Sequence, residues 1–257
     1  MYRRPVNGRV TTLFVVTSLS ILAAVLWLDG PGLSRQLALS LPVWLLLGAV
    51  FATHPHLTKE TLIAIAIATT GEVILSIGLG IYSYRSGGIP LYVPPGHGVV
   101  YLLALQTSQH IGRFRSIIER TTFTAGSAVA ICALLLFNDT FGLLCWGVML
   151  LIAATSPRRL LIATCVLFTT VLEIAGTWAG NWIWHEFQGL LRSGNPPVGV
   201  VLLYCCLDLL TITALVALRG RSQETGNSRK RDPSSSGEAA FTPPAAAPAG
   251  VPHVPSW

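Results

Sequence analysis

The chain has 257 residues, of which 52% are hydrophobic and only 11% are charged. A soluble domain carries about 25% charged residues, so this deficit excludes an ordinary water-soluble globular protein. The net charge of +6 does not indicate a nucleic-acid partner, because the basic residues lie between apolar runs and near the C-terminus, a membrane-topology pattern. Apolar runs of about 20 residues, enough to cross a hydrocarbon core, recur along the chain. We therefore predict an all-α, polytopic membrane helix bundle over residues 1–218.

Eight apolar segments, taken in chain order, predict eight transmembrane helices. The first is interpreted as a retained helix rather than a signal peptide, because bulky and turn-like residues follow it. Residues 219–257 are rich in Pro, Ala, Ser and charge, which predicts a disordered cytoplasmic tail. The predicted helices comprise about residues 11–28, 36–53, 59–83, 95–110, 122–137, 140–155, 158–184 and 196–218.

The distribution of Lys and Arg predicts the orientation of these helices. With eight helices, fourteen basic residues lie on the side of the two termini, whereas only Arg35, Arg85 and Arg192 lie on the other side. The positive-inside rule then places both termini in the cytoplasm of a multi-pass protein of the cell membrane.

This orientation predicts the result of a reporter-fusion experiment. A reporter fused after Gly194 is expected to be extracellular, and one fused after Arg229 is expected to be cytoplasmic. Alkaline phosphatase, active outside, and a fluorescent protein, active inside, measure the two positions. A cytoplasmic signal after Gly194 would contradict the count of eight helices.

The third and seventh predicted helices share an ordered set of residues. Each carries two threonines, a glutamate, small residues and an alternating aromatic pair, and in each case the following helix begins at a Pro-Pro sequence. Proline suits the first turn of a helix, where its missing N–H has no partner to lose. We therefore predict two parallel four-helix repeats, about residues 11–110 and 122–218, with the same orientation. The matching residues are Glu72 and Glu173, Tyr82-x-Tyr84 and Trp182-x-Trp184, and Pro94-Pro95 and Pro196-Pro197.

Three carboxylic acids are predicted to lie near the middle of the membrane. Glu72 and Glu173 precede the outer ends of their helices by about 11 residues, and Asp208 follows the second Pro-Pro by a similar number. Acids at this depth are costly and are often functional. Since no Lys or Arg is predicted at the same depth, at least one acid is expected to be neutral and able to donate a proton. The alternative is a structural role, with hydrogen bonds to neighbouring threonines.

Other polar and aromatic side chains complete the predicted site. His97, at the start of the fourth helix, is a candidate base or proton shuttle. Aromatic residues between the acids and the outer face form either an interfacial belt or the lining of a cavity that stabilises a cation. No cofactor or metal site is predicted, since no metal triad or nucleotide-binding loop occurs. The candidate substrate-binding residues are Tyr82, Tyr84, Tyr101, Trp178, Trp182, Trp184 and His185.

One segment resembles a known family. The order of an acid, a Gly-x-Tyr-x-Tyr motif and an apolar-Pro-apolar stretch, between Glu72 and Pro94, resembles the carotenoid-biosynthesis membrane proteins of the carotenoid hydratase type. Leu79 departs from the pattern, because that family has Phe before the glycine. The "VPPGHG" sequence is also similar to uncharacterised actinobacterial membrane proteins.

The resemblance implies an intramembrane enzyme that acts on a lipophilic, isoprenoid-like substrate by acid–base chemistry, with a protonated glutamate donating to a C=C bond. Two alternatives remain open at this point, a proton-coupled transporter and a non-catalytic membrane partner protein.

Overall fold

The computed structural model describes residues 8–230, with side chains as far as residue 218. Over this part of the chain there are eight α-helices. The last helix continues past Arg219, where the sequence predicts the tail to begin, and residues 231–257 of that tail lie outside the described residues. The helices are α1 Gly8–Leu28, α2 Leu33–Thr53, α3 Pro55–Glu72, α4 Val93–His110, α5 Arg115–Phe137, α6 Thr140–Thr155, α7 Arg159–Trp178 and α8 Val201–Lys230.

Six of the helical segments are long and apolar enough to cross a membrane. They are Gly8–Leu28, Leu33–Thr53, Pro55–Gly78, Gly112–Phe137, Arg159–Trp178 and Val198–Leu218. The segment Thr140–Thr155 is apolar but shorter.

Helix α4 is the most deeply buried helix among the described residues. Every side chain from Val99 to Leu105 is 6% exposed or less, and the helix packs against α1, α2, α3 and α7. A stretch of helix that is apolar on every face, as Val99 to Leu105 is, is expected to be enclosed in this way. Pro94 and Pro95 stand in its first turn, as predicted.

The predicted ends of the third and seventh helices are wrong. Helix α3 ends at Glu72 and continues only as a π-helical turn, Val73–Gly78, and α7 ends at Trp178. Left-handed glycines, Gly80 and Gly180, then turn the chain. The aromatic pairs lie on two antiparallel strands, β1 (Tyr82–Tyr84) and β2 (Trp182–Trp184), and a second short sheet pairs β3 (Phe187–Gln188) with β4 (Leu191–Arg192).

The second Pro-Pro sequence also differs from its prediction. Pro197 is extended and is followed by a 3₁₀ turn, Val198–Val200, so α8 begins only at Val201. Asp139 holds this connection in place, because its buried carboxylate accepts hydrogen bonds from the backbone N–H groups of Gly194 (2.9 Å) and Val198 (3.0 Å).

Most of the core divides into two apolar clusters. The first cluster comprises side chains of α1, α2, α3 and α4 and includes Leu161 and Cys165 of α7. The second comprises side chains of α5, α6, α7 and the start of α8. A third, smaller cluster lies under β1 and β2, around Tyr82, Trp184 and Val200. We call the end of the bundle that carries these strands the sheet end.

Candidate functional site

An apolar cavity of about 490 Å³ lies beneath strands β1 and β2. Its walls come from α1, α3, α4, α7 and α8, and most of its lining is aliphatic. A volume in this range is typical of a site for a small organic molecule. Two carboxylic acids, Glu72 and Glu173, and one imidazole, His97, are among its lining residues.

Glu72 is the most completely bonded of these three groups. Its Oε2 accepts hydrogen bonds from the hydroxyls of Tyr82 (2.7 Å) and Tyr84 (2.6 Å). Its Oε1 lies 2.9 Å from Nε2 of His97. The other ring nitrogen, Nδ1 of His97, is buried and has no hydrogen-bond partner among the described residues. Glu72 and His97 therefore form an acid–imidazole pair whose carboxylate is fixed by two phenols.

Glu173 has a corresponding but looser arrangement. Its Oε2 accepts hydrogen bonds from the indole N–H groups of Trp182 (2.9 Å) and Trp184 (3.3 Å). Its Oε1 has no hydrogen-bond partner in the part of the chain that the structure describes. A carboxyl group with one oxygen anchored and the other free can hold a proton at the free oxygen, where a ligand in the cavity would reach it.

The strands explain why each acid receives two aromatic donors. Alternate residues of a strand point to the same face, so Tyr82 and Tyr84 both reach Glu72. On a helix, residues two apart do not share a face, and one acid could not be bonded twice in this way. The rings also pack across the sheet, with centroids 4.5 Å apart for Tyr82 and Trp184.

The phenols of β1 remain hydrogen-bond donors over the physiological pH range. Burial raises the pKa of both Tyr82 and Tyr84 above its ordinary value, and the neighbouring carboxylate of Glu72 raises it further. Because a raised phenol pKa favours the neutral form, both hydroxyls stay protonated below about pH 10. No loss of the Glu72 contacts through tyrosine ionisation is therefore expected below that pH.

The threonines do not have the role proposed for them. The hydroxyl of Thr69 donates to the carbonyl of Ile65 at 2.7 Å, and that of Thr70 donates to the carbonyl of Ala66 at 2.9 Å. Each therefore bonds its own helix four residues back. Aromatic donors, and not these threonines, therefore hold the acids.

Asp208 and Tyr101 do not line the cavity with the two glutamates, contrary to the prediction for both residues. Oδ1 of Asp208 lies 2.9 Å from Nη1 of Arg158 and 3.5 Å from the hydroxyl of Tyr101, which donates to Glu60 at 2.7 Å. The expectation that no basic residue reaches this depth is also wrong. Arg158, from the connection before α7, extends into the bundle, as a long cationic side chain can.

Two further predicted residues lie outside the cavity. Trp178 is 79% exposed at the end of α7, which fits a membrane-interface residue rather than a cavity wall. His185 is exposed, and its backbone N–H donates to the carbonyl of Ile81. Both are removed from the candidate binding residues.

Tyr204 is a lining residue that the sequence did not predict. It lies on α8 with its ring centroid 5.4 Å from that of His97. An isolated tyrosine in an apolar helix carries no signal that separates it from a core residue.

Gly176 has a different role from the helix contact expected of a Gly-x-x-x-Gly pattern. A Cβ at this position would overlap the ring of Trp182, which folds back onto α7. We expect Gly176→Ala to displace the indole, break its bond to Glu173 and cost about 1–3 kcal/mol. Thermal unfolding and tryptophan emission measure the two effects. Gly147→Ala, on α6 with open space around its Cβ position, is the control and should change neither.

Among the described residues, no group of three or more His, Cys, Asp or Glu side chains has an arrangement that could hold a metal ion. Comparisons of the chain with family models, with curated proteins and with solved structures gave no match. The fold and the cavity therefore define the class by themselves. This is a helical protein of the membrane type, with two carboxylic acids, each bonded to its own aromatic pair, in one apolar cavity.

Proposed function

We propose that this protein is an intramembrane enzyme that transfers protons to and from a lipophilic substrate in the cavity. The observation that carries the proposal is the Glu72–His97 pair, at 2.9 Å, in the same apolar cavity as Glu173. General acid–base catalysis needs two such groups on one substrate, and it contributes about 10²–10⁴-fold in rate. The apolar walls favour a lipophilic substrate, because such a molecule passes from the lipid phase into an apolar cavity at little cost.

Glu173 is the proposed general acid. Its free Oε1 gives a proton to one carbon of a C=C bond; the π electrons form the new C–H bond, and the other carbon becomes cationic. Water then adds to that carbon, and His97, oriented by Glu72, takes the proton that the water releases. When this proton returns to Glu173, the catalytic cycle is complete. The net reaction is a hydration, in which H₂O is added across the double bond.

The aromatic residues supply the electrostatic part of this proposal. Tyr82, Tyr84, Trp182 and Trp184 all line the cavity, and aromatic rings attract a cation over their faces. No Lys or Arg is among the lining residues, so a cation formed there meets no competing positive side chain. An isoprenoid-like substrate fits this chemistry, because its branched double bonds give stabilised cations. The resemblance of the Glu72–Pro94 segment to carotenoid hydratase-type proteins also favours it.

The register of β1 and β2 supports the proposed internal repeat. Tyr82 pairs with Trp184, and Tyr84 pairs with Trp182. If the two copies are exchanged, Tyr82 takes the place of Trp182 and Tyr84 that of Trp184, so the pairing is unchanged. An antiparallel pair of this kind is what a two-fold axis between parallel repeats produces.

A one-residue difference between the copies supports the same alignment. The chain from Glu72 to Tyr82 is one residue longer than the chain from Glu173 to Trp182. A π-helical turn accommodates one extra residue within a helix, and the turn Val73–Gly78 occurs in the longer copy. The two chains then reach their strands in equivalent positions.

An eight-span topology follows from the proposed repeat. Helix α4 has 18 residues and is about 27 Å long, close to the thickness of the hydrocarbon core. Because other helices enclose α4, it does not need the strongly apolar surface of a helix that faces lipid. With α4 and α6 crossing, both termini lie on one side, which the positive-inside rule makes the cytoplasm.

A solvent-isotope experiment tests the proposed function and does not require the substrate to be identified first. Membranes containing the protein are incubated with bacterial lipid extract in D₂O, and the lipids are then returned to H₂O and analysed by mass spectrometry. The proposal expects a lipid that retains deuterium on carbon and gains the mass of water. Membranes without the protein are the control. Absence of carbon-bound deuterium with every extract, including polyene-rich ones, would overturn the enzymatic proposal.

A proton-coupled transporter is the second candidate. The contact that favours it is the Arg158–Asp208 ion pair, which joins the start of α7 to α8 away from the cavity. Alternating access requires a barrier between the site and each side of the membrane that can open and close, and an ion pair between two helices can act as one such barrier. Proteoliposomes with a pH-sensitive dye inside would show lipophile-dependent proton movement in that case, and no movement if the protein is only an enzyme.

A further inference from the structure

The wall of the cavity includes two stripes of side chains that are also exposed on the outside of the bundle. One stripe runs along α3 into the π-helical turn that follows it, where Ala66, Thr70 and Ile74 follow one another at intervals of four residues. The other lies on α8, where Leu203 is 37% exposed and Leu210 is 53% exposed. Residues at these intervals share one face of a helix. A side chain that both lines a cavity and is exposed lies at the edge of an opening.

The interface that corresponds to α3 and α8 in the other half of the bundle is filled. There, α4 packs directly on α7, and the hydroxyl of Thr164 donates across the interface to the carbonyl of Ala104 at 3.1 Å. Leu161 and Cys165 of α7 are at most 4% exposed and belong to the same core cluster as α4. The cavity therefore lies where one of two corresponding interfaces lacks a packed core.

Both ends of the cavity are closed. At the sheet end, Tyr82 and Trp184 are 4% and 5% exposed and pack on each other. Toward the opposite end, Arg158 joins Asp208 of α8, and Tyr101 of α4 donates to Glu60 of α3. With both ends closed, access is expected at the side, where the exposed stripes lie.

We propose that the gap between α3 and α8 is a lateral portal, through which a ligand dissolved in the membrane moves its apolar chain into the cavity. The proposal rests on the proposed function, because both require a lipophilic ligand. The portal is bordered by aliphatic side chains, with Thr70 as the one hydroxyl on the α3 stripe, and that hydroxyl is already bonded to its own helix. A ligand with a long apolar chain and a small polar or unsaturated end fits this border, whereas a charged, water-soluble ligand does not.

Photolabelling with an alkyl diazirine tests the portal without any turnover. The probe is a twelve-carbon alkyl diazirine dissolved in phosphatidylcholine vesicles that contain the full chain, and labelled residues are mapped by mass spectrometry. We expect labelling of Glu173 and Tyr204 inside the cavity, and of Val171 on the outer surface of α7. A water-soluble diazirine should label neither cavity residue. Cavity labelling by the water-soluble probe alone would overturn the proposal.

Closure of the portal by bulky side chains gives the second measurement. The double variant Thr70→Trp/Leu210→Trp should remove most of the labelling of Glu173, with labelling of Val171 unchanged. The matched control is Leu62→Trp/Leu209→Trp, since these leucines are 45% and 41% exposed on the same two helices but do not line the cavity. Undiminished labelling of Glu173 in the closed variant would overturn the portal.

The outcomes separate this proposal from the enzymatic one. If the alkyl probe labels the cavity and no deuterium enters any lipid, the portal stands and the enzymatic proposal fails. If deuterium is incorporated but closure of the gap changes neither labelling nor turnover, the enzyme stands and the portal fails. Should the closed variant not fold, as judged by gel filtration and thermal unfolding, the comparison of the two probes on the unmodified protein still decides.

Discussion

Glu173→Gln is expected to leave the protein folded and to lower carbon-bound deuterium incorporation by about 10²–10⁴-fold, the usual contribution of a general acid. Glutamine keeps the volume of glutamate, and its carbonyl can still accept from the indoles of Trp182 and Trp184. It has no carboxylic proton to give. The measurement is the rate of deuterium incorporation from D₂O, normalised to folded protein.

Glu72→Gln should have an effect of the same order for a different reason. The amide oxygen can still accept from Tyr82 and Tyr84, but an amide cannot support the positive charge that His97 acquires when it takes a proton. Glu186→Gln is the control, because Glu186 is an exposed acid that pairs with Arg192 at the sheet end. A purely structural role for the two cavity acids predicts the opposite pattern, in which Gln variants stay active and only Ala or Leu variants are impaired.

The helical architecture of the bundle was largely predictable, because a membrane helix can be recognised from a long apolar segment without knowledge of its side-chain contacts. The strands were not, because Tyr82-x-Tyr84 and Trp182-x-Trp184 follow apolar helices without a strong break. Gly80 and Gly180 carry the signal that separates them. An alternating aromatic pair after a glycine favours a strand over the last turn of a helix.

The two cavity acids were found from the sequence, but their partners were not. Depth along the helix is set by residue count, so Glu72 and Glu173 could be assigned to the same level. Which side chains contact them depends on the fold of β1 and β2. The contact of Asp208 with Arg158 was missed for a related reason. Counting residues gives the depth of a residue along its helix axis, but it does not show how far a long side chain from another segment extends.

The second large effect expected is on stability, at the ion pair between Arg158 and Asp208. The side chain of Asp208 is only 4% exposed, and Arg158 lies 2.9 Å from it. Removal of one partner from a buried pair leaves an uncompensated charge, which costs about 3–5 kcal/mol. We therefore expect Arg158→Met to lower the free energy of unfolding by about that amount, as measured by SDS titration in mixed micelles.

The double variant Arg158→Met/Asp208→Leu distinguishes charge compensation from simple packing. If the loss in Arg158→Met comes from the stranded carboxylate, removal of that carboxylate restores most of the stability, because apolar residues of similar size replace a buried pair at little cost. Recovery is expected to be incomplete, since Glu60 also lies 4.0 Å from Arg158, although Tyr101 still donates to it. Arg113→Met, outside this network, is the control. Additive losses in the double variant would show that the two residues act independently, and α8 would then be held against the start of α7 by its apolar contacts alone.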